Sequence, residues 1–205
     1  VLRSLREEHA AAAAAVKQSK ATSAEPIEGL AEKLGGTLEP FQWAGVRYAL
    51  EARRTLIADE QGLGKTIEAL ATVEADDAYP VVVVCPASIK LVWAREAERW
   101  LPHRSFAVVE GRSAVPPQAD ITILNYEIVA AHGEQLARRH PKALIIDESH
   151  YCKNPRAKRT QAVRRLASVI PDDGLRLALT GTPVLNHAEE LIAQLRVIGR
   201  LDDFG

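Results

Sequence analysis

A chain of 205 residues, 47% of them apolar, can bury a sizeable core and fits one compact domain with an appendage better than two domains. Its 26 Lys and Arg are balanced by 27 Asp and Glu, so the net charge of -1 gives no global positive field, and any nucleic-acid contact has to come from a local patch. Only two cysteines are present, Cys85 and Cys152, which argues against a disulfide framework and a secreted protein, and for a reducing compartment: the cytoplasm and nucleoid of a bacterium or the nucleus of a eukaryote.

The alanine run at 10–16, preceded by Arg3, Arg6, Glu7 and Glu8, reads as a helix rather than a secretory signal. Thr22, Ser23 and Pro26 give a cap-like start to a short second helix, stopped by Gly35 and Gly36. Residues 1–36 are therefore read as a helical appendage and 37–205 as the main lobe. Methionine is absent even at position 1, and 201–205 form no clear terminal element, so the sequence reads as a segment of a longer protein.

From Phe41 onward, short aliphatic runs alternate with longer amphipathic stretches, the pattern of β-α-β units. Strands are predicted at 55–58, 81–85, 106–109, 121–124, 143–146 and 175–179, and most are continuous apolar runs, as helices on both faces of a parallel sheet require. Helices are predicted at 66–74, 90–100, 127–139, 156–168 and 188–198. Trp93 and Trp100, seven apart on one of them, are expected in the core rather than stacked on bases.

Two motifs carry chemistry. Asp59, Glu60, Gln61, Gly62, Leu63, Gly64, Lys65 and Thr66 follow a strand and open a helix, the setting of a phosphate-binding loop. Its glycines let backbone N–H groups turn inward, Lys65 reaches the β- and γ-phosphates, and the Thr66 hydroxyl ligates Mg2+. Asp59 stands where the general pattern wants glycine, and Gly62 is expected to supply the missing freedom. Farther on, an apolar strand runs into Asp147 and Glu148, followed by Ser149 and His150. Carboxylates at the carboxyl edge of such a sheet sit where ligands bind: Asp147 would serve the metal, and Glu148 would orient the attacking water. A glycine-rich turn that merely opens a helix, or a solvated acidic turn, would explain either motif alone. Together they favour an ATPase, with Lys65, Asp147 and Glu148 as its catalytic residues, over a passive nucleotide binder.

These motifs, with Leu38-Glu39-Pro40-Phe41-Gln42, Val84-Cys85-Pro86-Ala87-Ser88, Lys153-Asn154 and Leu179-Thr180-Gly181-Thr182-Pro183, resemble the first motor lobe of the Swi/Snf-related ATPases of helicase superfamily two. The Asp-Glu-Ser-His box followed by Lys153-Asn154 looks most like the annealing-helicase branch, and the family's usual loop places Asp where this chain has Asp59. The resemblance spans 38–205. It implies a RecA-like α/β lobe of the P-loop NTPase class, ATP and Mg2+ as ligands, and a second RecA-like lobe in the intact protein. Gln42 should read the adenine edge, with Phe41 packed near the base. Thr180, Gly181 and Thr182 should couple the ATP site to the DNA surface. Duplex DNA is the implied partner, gripped through its phosphates by loops carrying Ser88 and Lys90, Asn125 and Tyr126, and Lys153 and Asn154; such contacts are sequence-tolerant.

A basic stretch of Arg138, Arg139, Lys142, Lys153, Arg156, Lys158, Arg159, Arg164 and Arg165 is open to two readings, a phosphate-binding flank or a solvated helix face. Nothing after Pro183 resembles the second lobe, whose arginine finger supplies a trans-acting cation; the lobe alone is expected to hydrolyse ATP poorly. Two further readings stay open at this level: a nucleotide-gated binding module without useful turnover, and an RNA-helicase lobe.

Overall fold

A computed structural model describes residues 22–113, 115–182 and 188–200. Helix α1 (Pro40–Ala52) leads into β1 (Arg54–Ile57) and α2 (Lys65–Ala75). There follow β2 (Val81–Cys85), α3 (Lys90–Trp100), β3 (Phe106–Val108), β4 (Ile121–Asn125), α4 (Val129–Ala137), β5 (Ala143–Asp147), α5 (Lys158–Ala167), β6 (Leu175–Leu179) and α6 (Ala188–Ile198). The strands form one sheet in the order β1-β6-β5-β2-β4-β3, and every pairing is parallel. All six expected strands are present within a residue of their predicted ends.

Alternation along the strands divides the core into two layers. Val81, Val83, Cys85, Ile121, Ile123, Ile145, Leu177 and Leu179 pack with α1, α2 and α3 on one face. Val82, Val84, Leu124, Leu144, Ile146 and Ala178 pack with α4, α5 and α6 on the other. β2, β4, β5 and β6 are buried at every position, which is why their sequences read as unbroken apolar runs. Among the described residues, no helix is long and apolar enough to cross a membrane.

The structure corrects the reading in two places. Residues 40–52 form a helix where none was predicted. Trp43, Val46, Tyr48 and Leu50 fall close to a two-residue alternation that hides the helical period, but Pro40 in the first turn and a capping box between Glu39 and Gln42 fix the start. The short helix expected after Pro26 is instead a run of turns, with Leu30 N–H donating to the Ile27 carbonyl and Lys33 N–H to Leu30. Gly35 serves close packing rather than helix termination: its N–H donates to the Trp100 carbonyl at 2.9 Å, and a Cβ there would lie 1.8 Å from the Arg99 carbonyl oxygen. Leu30, Leu34 and Leu38 are thereby buried in the core beside α3. The helix expected in the first twenty residues lies outside the described residues.

Candidate nucleotide site and its strand-end geometry

Strand order positions the chemistry. β1, β6 and β5 are neighbours, and each delivers a motif from its carboxyl end to the same edge of the sheet. The Thr180 N–H donates to the Ile57 carbonyl at 3.1 Å, tying the strand before the phosphate loop to the turn after β6.

In the loop, Gly62 and Gly64 have φ of 87° and 85°, left-handed values that glycine adopts without steric penalty. These two positions supply the backbone freedom that Asp59 does not. Gly64 caps α2, whose first-turn N–H groups point toward the loop. The Lys65 ammonium donates to the carbonyls of Asp59 at 2.7 Å and Glu60 at 2.8 Å, so it stands over the loop rather than in solvent. Thr66 is half-buried in the first turn of α2.

Gln42 reaches this loop from α1. Its Oε1 accepts the Glu39 N–H at 2.9 Å and its Nε2 donates to the Leu63 carbonyl at 3.0 Å. Each end of the amide retains a second donor or acceptor site. Phe41, beside it, is half-buried.

Asp147 ends β5 and is 9% exposed. Its Oδ2 accepts the Trp93 indole N–H at 2.7 Å and its Oδ1 accepts the Glu148 N–H at 2.8 Å. Burial pushes this carboxyl above its ordinary value, while the two N–H donors and the Lys65 ammonium pull against that. Glu148 takes a left-handed backbone, φ 51°, which turns its side chain out of the strand direction before a short 3-10 turn at Ser149–Cys152. Its Oε2 lies 3.1 Å from His150 Nδ1, and the same nitrogen is 3.4 Å from the Thr180 hydroxyl. Thr180 Oγ1 accepts the Thr182 N–H at 3.1 Å. A Cβ placed on Gly181 would stand 2.9 Å from Gln61 Cγ and 3.8 Å from Lys65 Nζ. Phosphate loop, acidic box and the Thr180–Thr182 turn thus meet in one place. The donor set fits a phosphate chain with a hard cation: inward N–H groups, an ammonium, one carboxylate and one hydroxyl.

The other half of the same edge belongs to β2, β4 and β3. Ser88 is exposed on the turn after β2, and Lys90 donates to the Val109 carbonyl at 2.9 Å. Asn125 is 8% exposed and its Nδ2 donates to Glu127 at 2.5 Å. Lys153 and Asn154 instead follow β5: Asn154 is exposed with Oδ1 accepting the Arg156 N–H, and Lys153 is half-buried.

Tyr126 overturns its expected role as a phosphate contact. It is 1% exposed, and its hydroxyl donates to the Asp147 carbonyl at 2.6 Å, so it braces the acidic box from within.

Members of the basic stretch meet different partners. Arg138 pairs with Glu134, and Arg139 donates to the carbonyls of Pro116 and Pro117. Arg159 lies against the Tyr151 ring, and with Arg112 and Lys158 it lines a cleft of about 430 Å³ beside Tyr126 and Glu127.

Sequence reasoning missed His150 as the link between Glu148 and Thr180, and Trp93 as a partner of Asp147. The histidine stood in a recognised box; the tryptophan, fifty-four positions from Asp147, carried no local signal.

Residues 38–201 match the SNF2-related domain. The chain belongs to the SNF2-related family. It is 32% identical over 194 residues to the human "DNA annealing helicase and endonuclease ZRANB3", covering 87% of this chain and 18% of that protein. It is 35% identical over 168 residues to the Caenorhabditis elegans "SWI/SNF-related matrix-associated actin-dependent regulator of chromatin subfamily A-like protein 1 homolog", covering 78% of this chain and 24% of that protein. The solved "Sulfolobus solfataricus SWI2/SNF2 ATPase core in complex with dsDNA" superposes with a TM-score of 0.71 at 28% identity, covering 82% of this chain and 37% of that one. This SNF2-related lobe therefore spans well under half of each of these relatives, and its likeness to them confirms the expected RecA-like fold and the annealing-helicase branch.

Proposed function

We propose that this SNF2-related lobe is the ATP-binding half of a motor that couples ATP hydrolysis to movement along, or remodelling of, double-stranded DNA. The observation that carries the reading is the meeting of three motif-bearing strand ends at one edge, with His150 between Glu148 and Thr180, Gly181 packed against the phosphate loop at Gln61, and the Lys65 charge felt at Asp147.

In this reading the loop from Asp59 to Thr66 wraps the phosphates, Lys65 neutralises charge on them, and Gln42, with Phe41 beside it, recognises the adenine. Thr66 and Asp147 would hold Mg2+, which when bound polarises the transferred phosphoryl group. Glu148 orients the attacking water and accepts its proton. His150 passes the position of Glu148 to Thr180, and the Thr180–Thr182 turn relays it toward the DNA half of the edge. Ser88, Lys90, Asn125, Lys153 and Asn154 contact DNA phosphates, so binding is sequence-tolerant and salt-sensitive. A second lobe supplies the missing cation, a contribution of roughly 10³ to 10⁵ in rate in related phosphoryl transfers.

DNA-stimulated ATP hydrolysis by the intact protein tests the reading. Lys65→Ala should abolish the stimulated rate; equal rates in wild type and variant would defeat the assignment. Glu148→Gln should retain nucleotide binding and lose turnover. A nucleotide-gated binding module would keep its partner exchange in Glu148→Gln, and an RNA helicase would respond to RNA rather than duplex DNA.

A further inference from the structure

Trp93 and Trp100 lie seven residues apart on α3, are 1% and 4% exposed, and belong to the same core layer. Packing alone accounts for both rings, but their polar ends differ. The Trp100 indole nitrogen is buried without a hydrogen-bond partner. The Trp93 indole N–H points at a carboxylate oxygen of Asp147, 2.7 Å away, across from β2's side of the sheet to the end of β5.

A neutral, permanent N–H donor has a definite effect on a buried carboxylate. It removes one rotational degree of freedom and stabilises the charged form, and unlike lysine or arginine it does so without introducing a competing cation. Oδ1 is already fixed by the Glu148 N–H, and the Tyr126 hydroxyl fixes the Asp147 carbonyl. Three donors from three segments therefore hold the residue, and each carboxylate oxygen keeps one lone pair for a further partner.

We infer that Trp93 is a positioning residue for the nucleotide-bound cation: its indole N–H sets the orientation in which Asp147 receives the metal or its water. The inference rests on the ATP-site reading above and assigns a role to a residue outside the phosphate loop and the acidic box. It also gives α3 a mechanical meaning. That helix begins at Lys90, directly after the exposed turn bearing Ser88, and one turn later carries the side chain that grips Asp147. A displacement of the turn after β2 would thus reach the cation site through a single rigid helix.

Two measurements on this chain test it. In the first, binding of a fluorescent ATP analogue is followed as Mg2+ is titrated. Trp93→Phe keeps most of the ring volume and removes the donor. It should leave binding without Mg2+ unchanged and raise the Mg2+ concentration for half-maximal enhancement about tenfold, the low end of what losing a hydrogen-bond partner of a metal ligand costs. Trp100→Phe, which loses an N–H without a partner, should match wild type. If Trp93→Phe binds with wild-type Mg2+ dependence while Lys65→Ala and Asp147→Asn do not, Trp93 is packing only and the ATP-site reading stands. If Lys65→Ala and Asp147→Asn also bind as wild type, the ATP-site reading itself fails.

The second measurement keeps every tryptophan and so does not depend on Trp93→Phe folding. In the indole N–H region of the NMR spectrum, one tryptophan signal should shift in Asp147→Asn, and the same signal should move when Mg2+ is added to the ADP-bound wild type. Absence of any such shared signal overturns the inference.

Discussion

Glu68 stands two residues beyond Thr66 and is fully buried, with neither carboxylate oxygen hydrogen-bonded. A Cβ on Gly45 of α1 would lie 2.5 Å from its Oε2, so the carboxyl faces the backbone of the neighbouring helix. Burial raises its pKa to about 8, with Asp59 adding to the rise and Lys65 opposing it. The folded chain therefore keeps a proton that the unfolded chain releases near pH 4.5. Stability contributed by the protonated form is full below that pH, falls as pH rises toward 8, and is flat beyond. Glu68→Gln cannot ionise, so its melting temperature relative to wild type should climb by several degrees between pH 5 and pH 8.5. A constant difference across that range would show that Glu68 does not titrate there. The residue scale also shows what a sequence can and cannot disclose. The placement of Lys65 at a helix start and of Asp147 and Glu148 at a strand end was legible because their spacing from the apolar runs is local. Tyr126 was misjudged because its location after β4 resembles that of a surface contact, whereas its hydroxyl is spent on the Asp147 carbonyl 21 positions away.

Among the elements, α2 joins two sites of opposite character. Its first residue, Lys65, is at the phosphate loop, and near its last turn Glu74 is buried in a network. Tyr79 donates to Glu74 at 2.7 Å, His103 lies 3.1 Å away, and Arg104 makes contacts of 2.9 and 3.2 Å. Burial drives the Glu74 carboxyl upward, but the hydrogen bonds from Arg104, Tyr79 and His103 prevail and hold it below its ordinary value. Its contribution is therefore present above the unfolded carboxylate range and lost as the solution is acidified. Glu74→Ala would leave the Tyr79 hydroxyl without its acceptor and Arg104 with Asp77 alone, and should cost about 1–3 kcal/mol in a denaturant titration at neutral pH. A loss under ~1 kcal/mol would mean that water replaces the carboxylate. No hint of this hub is visible along the sequence, because its members come from the end of α2, the connection between α2 and β2, and the turn between α3 and β3. The helices themselves were mostly legible from their amphipathic period; α1 was not, since its aromatic residues and Gly45 dilute that period while its capping box sits outside the apolar pattern.

Over the whole molecule, the order β1-β6-β5-β2-β4-β3 groups the proposed nucleotide motifs at the ends of β1, β6 and β5, and sets the proposed DNA loops after β2 and β4 beside them, with a third such loop after β5 itself. Composition and periodicity foretold a parallel sheet with two covered faces. They could not foretell the order of its strands, which depends on which nonlocal pairs bury the most surface. That order is what lets Trp93 and Tyr126, from the segments after β2 and β4, reach Asp147 at the end of β5. Among the described residues it also leaves β1, four residues long, with β6 as its one paired neighbour, whereas β5 is paired on both sides. The phosphate loop therefore hangs from a strand with half the tethering of the sheet's centre, and local opening there is cheaper than global unfolding. Without nucleotide, the β1 amides should exchange with deuterium faster than those of β5. With Mg2+ and ATP at a hundredfold over the dissociation constant, β1 should gain up to about 2.7 kcal/mol of protection. A site built on a margin would in this way use its own ligand as the last fastening of the fold.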